Sequence, residues 1–485
     1  MMEKGRMRKL DCMERENSVL ARTTGAAGGT LRIGGIAAAL LIAGVGPRCL
    51  ELLPASSGML EGLDAARVAL GLSIFAAVAV LWLTEALPLA LTALLVPLVA
   101  AMMRARPLKD SLASFADPLI FLFLGGFALA TALSRHGVDR WFARRILHGA
   151  GERFLPSAWL IFAATAFVSM WISNTATTAM VLPLCIGLLG ALGRDGRHAA
   201  NEAFLLLGVA YAASIGGLGT IVGSPPNGIV ARQLGIGFGQ WMSFGVVVVA
   251  VLLPLMVGVL HVVTRPGNVD CRGWRDEVNL GKSSRPVMAV FVMVAVLWAG
   301  GAWVGPALGI TKGYDTLVSL LGVVLVVGGR MITWDEFEKG TPWGVLLLFG
   351  GGLALGEVLR DTGGSLYLAR AVAAASHGLP MLLVVGVVVL FTVFLTELAS
   401  NTAVAALMVP VFSVAAGELG VTAALMVIPL GLAASCAFML PVATAPNALV
   451  HATGMVPQRL MMKAGLVLNV VCAVALTLVA YWLLR

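Results

Sequence analysis

Residues 167–183 read FVSMWISNTATTAMVLP, and residues 394–410 read FLTELASNTAVAALMVP. Each places the triplet Ser-Asn-Thr, at 173–175 and at 400–402, inside strongly apolar sequence and ahead of a proline, Pro183 or Pro410. A polar triplet in such surroundings is costly unless its groups have partners or a task. One copy alone reads equally well as a cap between two half-helices. Its return half a chain later, in step with other motifs, points to a task.

Those other motifs lie on either side. Phe123, Gly125, Gly126, Ala128 and Leu129 recur as Phe349, Gly351, Gly352, Ala354 and Leu355, an offset of 226. Ser173, Asn174, Thr175 and Pro183 recur as Ser400, Asn401, Thr402 and Pro410, an offset of 227. Pro226 and Asn227, in GSPPN at 223–227, recur as Pro446 and Asn447, in ATAPN at 443–447, an offset of 220. Three motifs in one order at nearly one offset make an internal repeat. Apolar spans interrupted by Gly or Pro at corresponding places in two halves are the sequence pointer to the binding site of a secondary transporter.

Composition sets the surroundings. Of 485 residues, 59% are hydrophobic and 12% charged, where a soluble protein has about 25% charged. Continuous apolar runs of about 20 residues, the length that spans roughly 30 Å of hydrocarbon, recur from Ile33 to the end. They lack the alternation of barrel strands. The expectation is an all-α polytopic membrane protein with about 11 transmembrane helices and two re-entrant helical hairpins. The six cysteines (Cys12, Cys49, Cys185, Cys271, Cys436, Cys472) are scattered and suggest neither a disulfide framework nor a zinc site.

The reading in chain order is a basic, disordered cytoplasmic tail over 1–32, then a first span and connection over 33–66 that lie outside the repeat. Repeat 1 covers 67–264, with a hairpin at 155–192 and a broken helix at 203–231. A cytoplasmic linker fills 265–285, and repeat 2 covers 286–485, with a hairpin at 371–415 and a broken helix at 424–452. Hairpins enter and leave on one side, so each unit has an odd number of crossings and the two halves are inverted. With the N-terminus in the cytoplasm, the cytoplasmic segments carry most of the 33 Lys and Arg, as the positive-inside rule requires. That rule accounts for the net charge of +8, so no nucleic-acid partner is expected. The arginines at 135–153 read as an interfacial helix at the lipid headgroups.

The interruptions are polar but uncharged. No Lys or Arg lies in 154–193, 198–231 or 371–458, and no metal-spaced cluster, phosphate loop or nucleophile–base arrangement appears there. Backbone groups freed by a break must be satisfied by protein, water or ligand. Unwound carbonyls can replace the hydration shell of a small cation, and helix N-termini can face an anion. An anion bound without Arg or Lys needs countercharge, because burying an uncompensated ion costs several kcal/mol or more. Cations bound beside the triplets would supply it.

The two triplets, GSPPN and SCAFMLPVATAPNALV (435–450) together resemble the divalent anion/sodium symporter family, the sodium-coupled dicarboxylate transporters. Each triplet alone is a weak signal; the ordered set of four is specific, and the resemblance runs from about 67 to 485. It implies an inverted-repeat, elevator-type transporter that forms homodimers in the plasma or inner membrane. It implies one sodium site on Ser169, Ser173, Asn174 and Gly223 and a second on Thr396, Ala399, Asn401 and Ala443. Substrate carboxylates would meet Asn174, Thr175, Ser224, Asn401, Thr402 and Thr444. Two positions depart from the family's pattern. Ala445 stands where a first proline is usual, and Ser224 where threonine is also common.

The implied activity is sodium-coupled import of C4-dicarboxylates such as succinate, malate or fumarate, and not enzymatic catalysis. Sodium-independent exchange, or citrate or sulfate as substrate, are the alternatives on the same scaffold; a channel or a membrane enzyme fits the motifs less well. Glu85 and Glu397 are acids in apolar sequence, functional suspects by default. Both lie near expected helix ends, where a structural hydrogen bond serves as well, and they stand outside the expected site. His377, His451, Trp171 and Trp241 read as packing or interface residues.

Overall fold

Apolar runs punctuated by proline and glycine fold here into helices joined by short turns. The computed structural model describes residues 32–48, 58–138, 141, 153–192, 198–270, 284–310 and 312–484. Among them the only extended pairing is an isolated bridge between Arg153 and Asp270. The expected tail, most of the interfacial stretch 135–153 and most of the linker lie outside the described residues.

The first half contains α1 (32–48), α2 (Ala65–Leu83), α3 (Leu89–Met102), α4 (Leu108–Ala113), α5 (Pro118–Arg135), α6 (Phe154–Ser169), α7 (Asn174–Ala191), α8 (Ala199–Gly216), α9 (Pro225–Leu234) and α10 (Phe238–Thr264). The second contains α11 (Ser284–Ala299), α12 (Gly301–Ala307), α13 (Tyr314–Val323), α14 (Trp334–Gly340), α15 (Trp343–Thr362), α16 (Gly364–Ala375), α17 (Met381–Thr396), α18 (Asn401–Glu418), α19 (Ala423–Ala433), α20 (Ala445–His451) and α21 (Gln458–Leu484). Local chemistry sets several starts. Asp117 caps α5 by accepting from Leu119 N at 2.9 Å, with Pro118 at the first helical position, where its missing N–H costs nothing.

Seven helices among the described residues are long and apolar enough to cross a membrane, or eight if α11 and α12, bent by 82°, form one span. Length and composition alone therefore do not single out the expected about eleven spans. Several of those spans are broken, bent or short, and one helix that passes the test, Asn401–Glu418, is an arm of a hairpin. The second hairpin occupies Met381–Glu418, starting at Met381 rather than at 371, because Gly364–Ala375 is a separate helix packed on α18.

Two groups of helices emerge from the packing. In one, α5 lies along α13 and α3 along α15, with α2 beside them. A Cβ at Gly125 would stand 2.5 Å from Ser319 Cβ, and one at Gly351 2.5 Å from Ala93 Cβ. The repeat-related glycines thus bring both helix pairs to backbone contact. Phe123 and Phe349, also repeat-related, touch each other with ring centroids 4.6 Å apart, which puts the approximate two-fold relation between them.

The other group holds α6–α10 and α17–α21. Here α8 packs on α6, α7 and α10, α21 packs on α10, α17 and α19, and α18 packs on α19. The α8 span is 94% buried and the α10 span 33%, so α8 is central and α10 presents an apolar flank outward. Trp241, fully buried on α10, donates through Nε1 to Leu218 O at 3.0 Å.

Candidate functional site

Each hairpin turns at its triplet. In the first, α6 ends at Ser169, and α7 starts after Ser173, whose hydroxyl caps it by accepting from Ala176 N at 3.3 Å. The Ser169 hydroxyl lies 2.7 Å from both Asn174 Oδ1 and Ala213 O. A hydroxyl has one proton to give, so three oxygens converge on one hydrogen. Thr220, in the break between α8 and α9, donates to Met170 O and accepts from Gly223 N at 3.2 Å.

Two glycines keep this region open to oxygen. A Cβ at Gly217 would lie 2.5 Å from Asn174 Oδ1 and 2.9 Å from Gly223 O. One at Gly223 would lie 2.6 Å from Gly217 O and 3.0 Å from Met170 O. The carbonyls of Met170, Gly217 and Gly223 and the side-chain oxygens of Ser169 and Asn174 therefore surround one small space. Neutral oxygens in such number are the donor set of a hard cation. Among the described residues no group of three or more His, Cys, Asp or Glu is arranged to hold a metal.

The second hairpin repeats the pattern. The Thr396 hydroxyl lies 2.7 Å from both Asn401 Oδ1 and Ala434 O. The breaks are braced alike. Asn227 donates through Nδ2 to Gly217 O at 2.8 Å and Thr220 O at 2.7 Å, and Asn447 donates to Ala437 O at 3.2 Å and Leu440 O at 3.1 Å. All three residue pairs share the offset of 220, and each asparagine ties the two ends of its unwound segment.

The halves differ at the tip. Glu397 stands at the position equivalent to Met170, and its carboxylate is buried. It accepts from Phe438 N at 2.6 Å, Met439 N at 2.8 Å, Leu440 N at 3.0 Å and Asn469 Nδ2 at 2.8 Å. The second break, between α19 and α20, runs from 434 to 444 without helix and frees more N–H groups than the first; the glutamate satisfies three of them. Tyr211 on α8 donates to Phe438 O at 2.7 Å and so ties the first half to the second break. Glu85, by contrast, is exposed at the end of α2 in a left-handed turn with φ 47. Trp171 stacks on Phe238 with centroids 6.1 Å apart and meets Phe291 edge-on at 5.4 Å, a packing arrangement.

The expected site residues separate by environment. Ser169, Gly223, Ser224, Thr396, Ala399 and Thr402 are buried; Asn174, Asn401, Ala443 and Thr444 are half-buried; Ser173 and Thr175 are exposed. Ser169 with Asn174, and Thr396 with Asn401, are bonded directly, and Gly223 borders the first cradle. The Thr444 hydroxyl accepts from Asn447 N at 3.3 Å. Ser224 Oγ instead lies 2.8 Å from Ser435 Oγ, in the other break. The return helix of each hairpin leans on the other repeat's broken span: α7 packs on α20, and α18 on α9. Both triplets and both breaks thus belong to one composite region. Asn227 and Asn447 marked the repeat in the sequence without a role; Gly217, Ser435, Asn469 and Tyr211 carry no pattern that singles them out.

Comparison with known proteins follows the same lines. The citrate transporter family model CitMHS matches residues 79–426 and 316–485. An uncharacterized transporter of Haemophilus influenzae is 42% identical over 423 residues, 85% of this chain and 92% of its own. The sodium-dependent dicarboxylate transporter SdcS of Staphylococcus saprophyticus is 32% identical over 439 residues, 84% of each chain. Among solved structures, MtrF of Neisseria gonorrhoeae superimposes with a TM-score of 0.55 at 15% identity, covering 80% of this chain and 84% of its own. YdaH of Alcanivorax borkumensis does so at 0.53 and 14%, covering 77% and 86%, so both speak to fold alone. The chain belongs to the citrate transporter family, CitMHS, and is a membrane transporter of the divalent anion/sodium symporter kind.

Proposed function

We propose that this protein imports C4-dicarboxylates such as succinate, malate or fumarate together with sodium. The observation that carries the reading is the pair of oxygen cradles, one at each hairpin tip, built from neutral groups with the same internal bonds. Sodium in the first would be held by Ser169, Asn174 and Gly223, with Ser173 at the tip beside them. The second would use Thr396, Ala399, Asn401 and Ala443. Met170 O and Gly217 O extend the first set.

The anion would sit between the tips, on Asn174, Thr175, Ser224, Asn401, Thr402 and Thr444. No Lys or Arg occurs in the segments that form the tips and breaks, so two bound cations and the helix N-termini at Asn174, Asn401 and Pro225, each worth about half a positive charge, offset the dianion. The named function of SdcS, a relative across most of the chain, supports sodium and dicarboxylate; the family's name makes citrate the first alternative to try. In this reading the hairpin-bearing group carries substrate past the other group in an elevator motion. Each group draws helices from both halves of the chain, which would be inverted repeats, in a homodimer with the N-terminus in the cytoplasm of an inner-membrane protein.

The test is uptake of radiolabelled succinate and citrate into proteoliposomes, with an inward sodium gradient or with potassium alone, and with or without internal succinate. Sodium-driven accumulation into empty vesicles is expected. Full activity without sodium, dependent on internal dicarboxylate, would replace symport with exchange.

A further inference from the structure

Ser224 occupies the N-cap of α9, yet its hydroxyl bonds none of that helix's N–H groups. Its repeat counterpart Thr444 does cap, accepting from Asn447 N. The Ser224 hydroxyl is turned instead to Ser435, 2.8 Å away across the boundary between the repeats. The two serines are 2% and 1% exposed, so bulk solvent does not reach them.

The protons do not balance within the pair. Two hydroxyls carry two protons, and the bond between them uses one. Among the described residues no other acceptor takes the second. A buried hydroxyl proton left unpaired is destabilising, and a ligand that brings an acceptor removes the penalty. Ser435 lies in the turn that ends α19, its own N–H bonded to Leu432 O at 3.1 Å. When it donates to Ser224, the spare proton resides on Ser224, at the positive end of α9, where an anion is favoured.

The neighbouring residue ties this pair to the cation cradle. Ala434, immediately before Ser435, supplies the carbonyl 2.7 Å from the Thr396 hydroxyl. In the first half Ala213 plays that part for Ser169, and the residue after it is again serine, Ser214, 1% exposed and with no hydrogen-bond partner for its hydroxyl. A serine therefore follows the cradle carbonyl in both halves, at the end of α8 in the first and in the break in the second, and only the one in the second half is engaged.

We propose that Ser435 is a positioning residue for the substrate: it donates to Ser224 and so directs the Ser224 hydroxyl proton to a carboxylate oxygen. The proposal rests on the reading of the protein as a carboxylate transporter and adds to it a cross-repeat relay at one end of the anion. Ser435 touches the substrate through Ser224 and not directly.

Initial rates of uptake by proteoliposomes at saturating sodium test it, with succinate, or citrate if the wild type takes up only that. Ser435→Ala and Ser224→Ala should each raise KM about tenfold, the loss expected when a hydrogen bond to a charged acceptor is removed. The sodium half-saturation should stay within about twofold in Ser435→Ala. In the Ser224→Ala background, Ser435→Ala should add less than twofold, because the relay is already gone. Ser435→Cys, close in size and a weak donor, gives the same reading at smaller amplitude should the alanine variant fail to fold. An unchanged KM in folded Ser435→Ala or Ser435→Cys overturns the proposal, as does a double variant in which the two effects multiply. Wild-type protein that takes up no carboxylate overturns the transport reading and the proposal with it, whereas intact wild-type uptake with an unchanged variant KM overturns the serine assignment alone.

Discussion

Replacing Gly217 with alanine would place one methyl group in the first oxygen cradle. The backbone accepts it without strain, since Gly217 sits at φ −55 and ψ −18, a conformation open to any residue. The conflict is with oxygen. The new Cβ would stand 2.5 Å from Asn174 Oδ1 and 2.9 Å from Gly223 O, where a relaxed C···O contact is about 3.3–3.6 Å. Both oxygens must retreat by roughly 0.5–1 Å, a large shift against cation–oxygen bonds of about 2.3–2.6 Å for a cation of calcium's size, which is also sodium's. Overpacking of this kind costs about 1–3 kcal/mol, so sodium should bind the first cradle about 5- to 150-fold more weakly. Sodium-dependent stabilisation measures this directly, because a ligand that binds only the folded state stabilises it by RT ln(1 + L/Kd), where L is the free ligand concentration. In melting experiments in detergent over a sodium series, the sodium concentration at which the midpoint starts to rise above its potassium-only value should move upward at least fivefold. Gly190→Ala is the control, since nothing lies within 4 Å of the added Cβ. A folded Gly217→Ala protein whose midpoint responds to sodium at the wild-type concentration would refute the cradle.

Asn174→Ala and Asn401→Ala should each abolish sodium-driven uptake while leaving a folded protein; wild-type uptake in either removes that asparagine from the site. Glu397→Gln keeps the size but turns an amide N–H₂ toward groups that are themselves donors. Each buried donor left without an acceptor costs about 1–3 kcal/mol, so the melting midpoint in detergent should fall, and an unchanged midpoint would show that the carboxylate does not hold the second break. Ala445→Pro should stabilise by about 0.4–1 kcal/mol, because the position opens a helix and proline restricts the unfolded chain. Thr444 before it is already extended at φ −140 and ψ 149, as a residue preceding proline must be. A lowered midpoint would mean that the alanine is there to keep the second break free to move.

The repeat was legible because its markers are polar residues and prolines in sequence that is otherwise apolar. Ser-Asn-Thr and Pro-Asn stand out at fixed offsets whatever surrounds them. The same contrast located both hairpin tips and both breaks. It failed where the signal is relational. Glu397 is visible as an acid, but its three backbone donors come from 438–440 and its fourth from Asn469, partners that only the folded chain brings near. Ser435 is one serine among apolar neighbours until Ser224 lies against it. The second hairpin was expected to start at 371 because the apolar end of the helix Gly364–Ala375 runs on toward Met381 with only five residues between them, and short apolar segments are not separated by periodicity alone. Gly217 was passed over because a glycine's importance lies in what would occupy its missing side chain.

The interlock of the two repeats also sets a timetable for biogenesis. The return helix Asn174–Ala191 rests on the helix Ala445–His451, which leaves the ribosome more than 250 residues later. At about 5–20 residues per second the first hairpin waits on the order of 10–50 s for the surface it packs against. During that interval its Ser-Asn-Thr tip has only its own half of the protein for company, with the far wall of the site still unmade. Insertion of the first half and completion of its site are therefore separate events. The second is triggered by the last quarter of the chain.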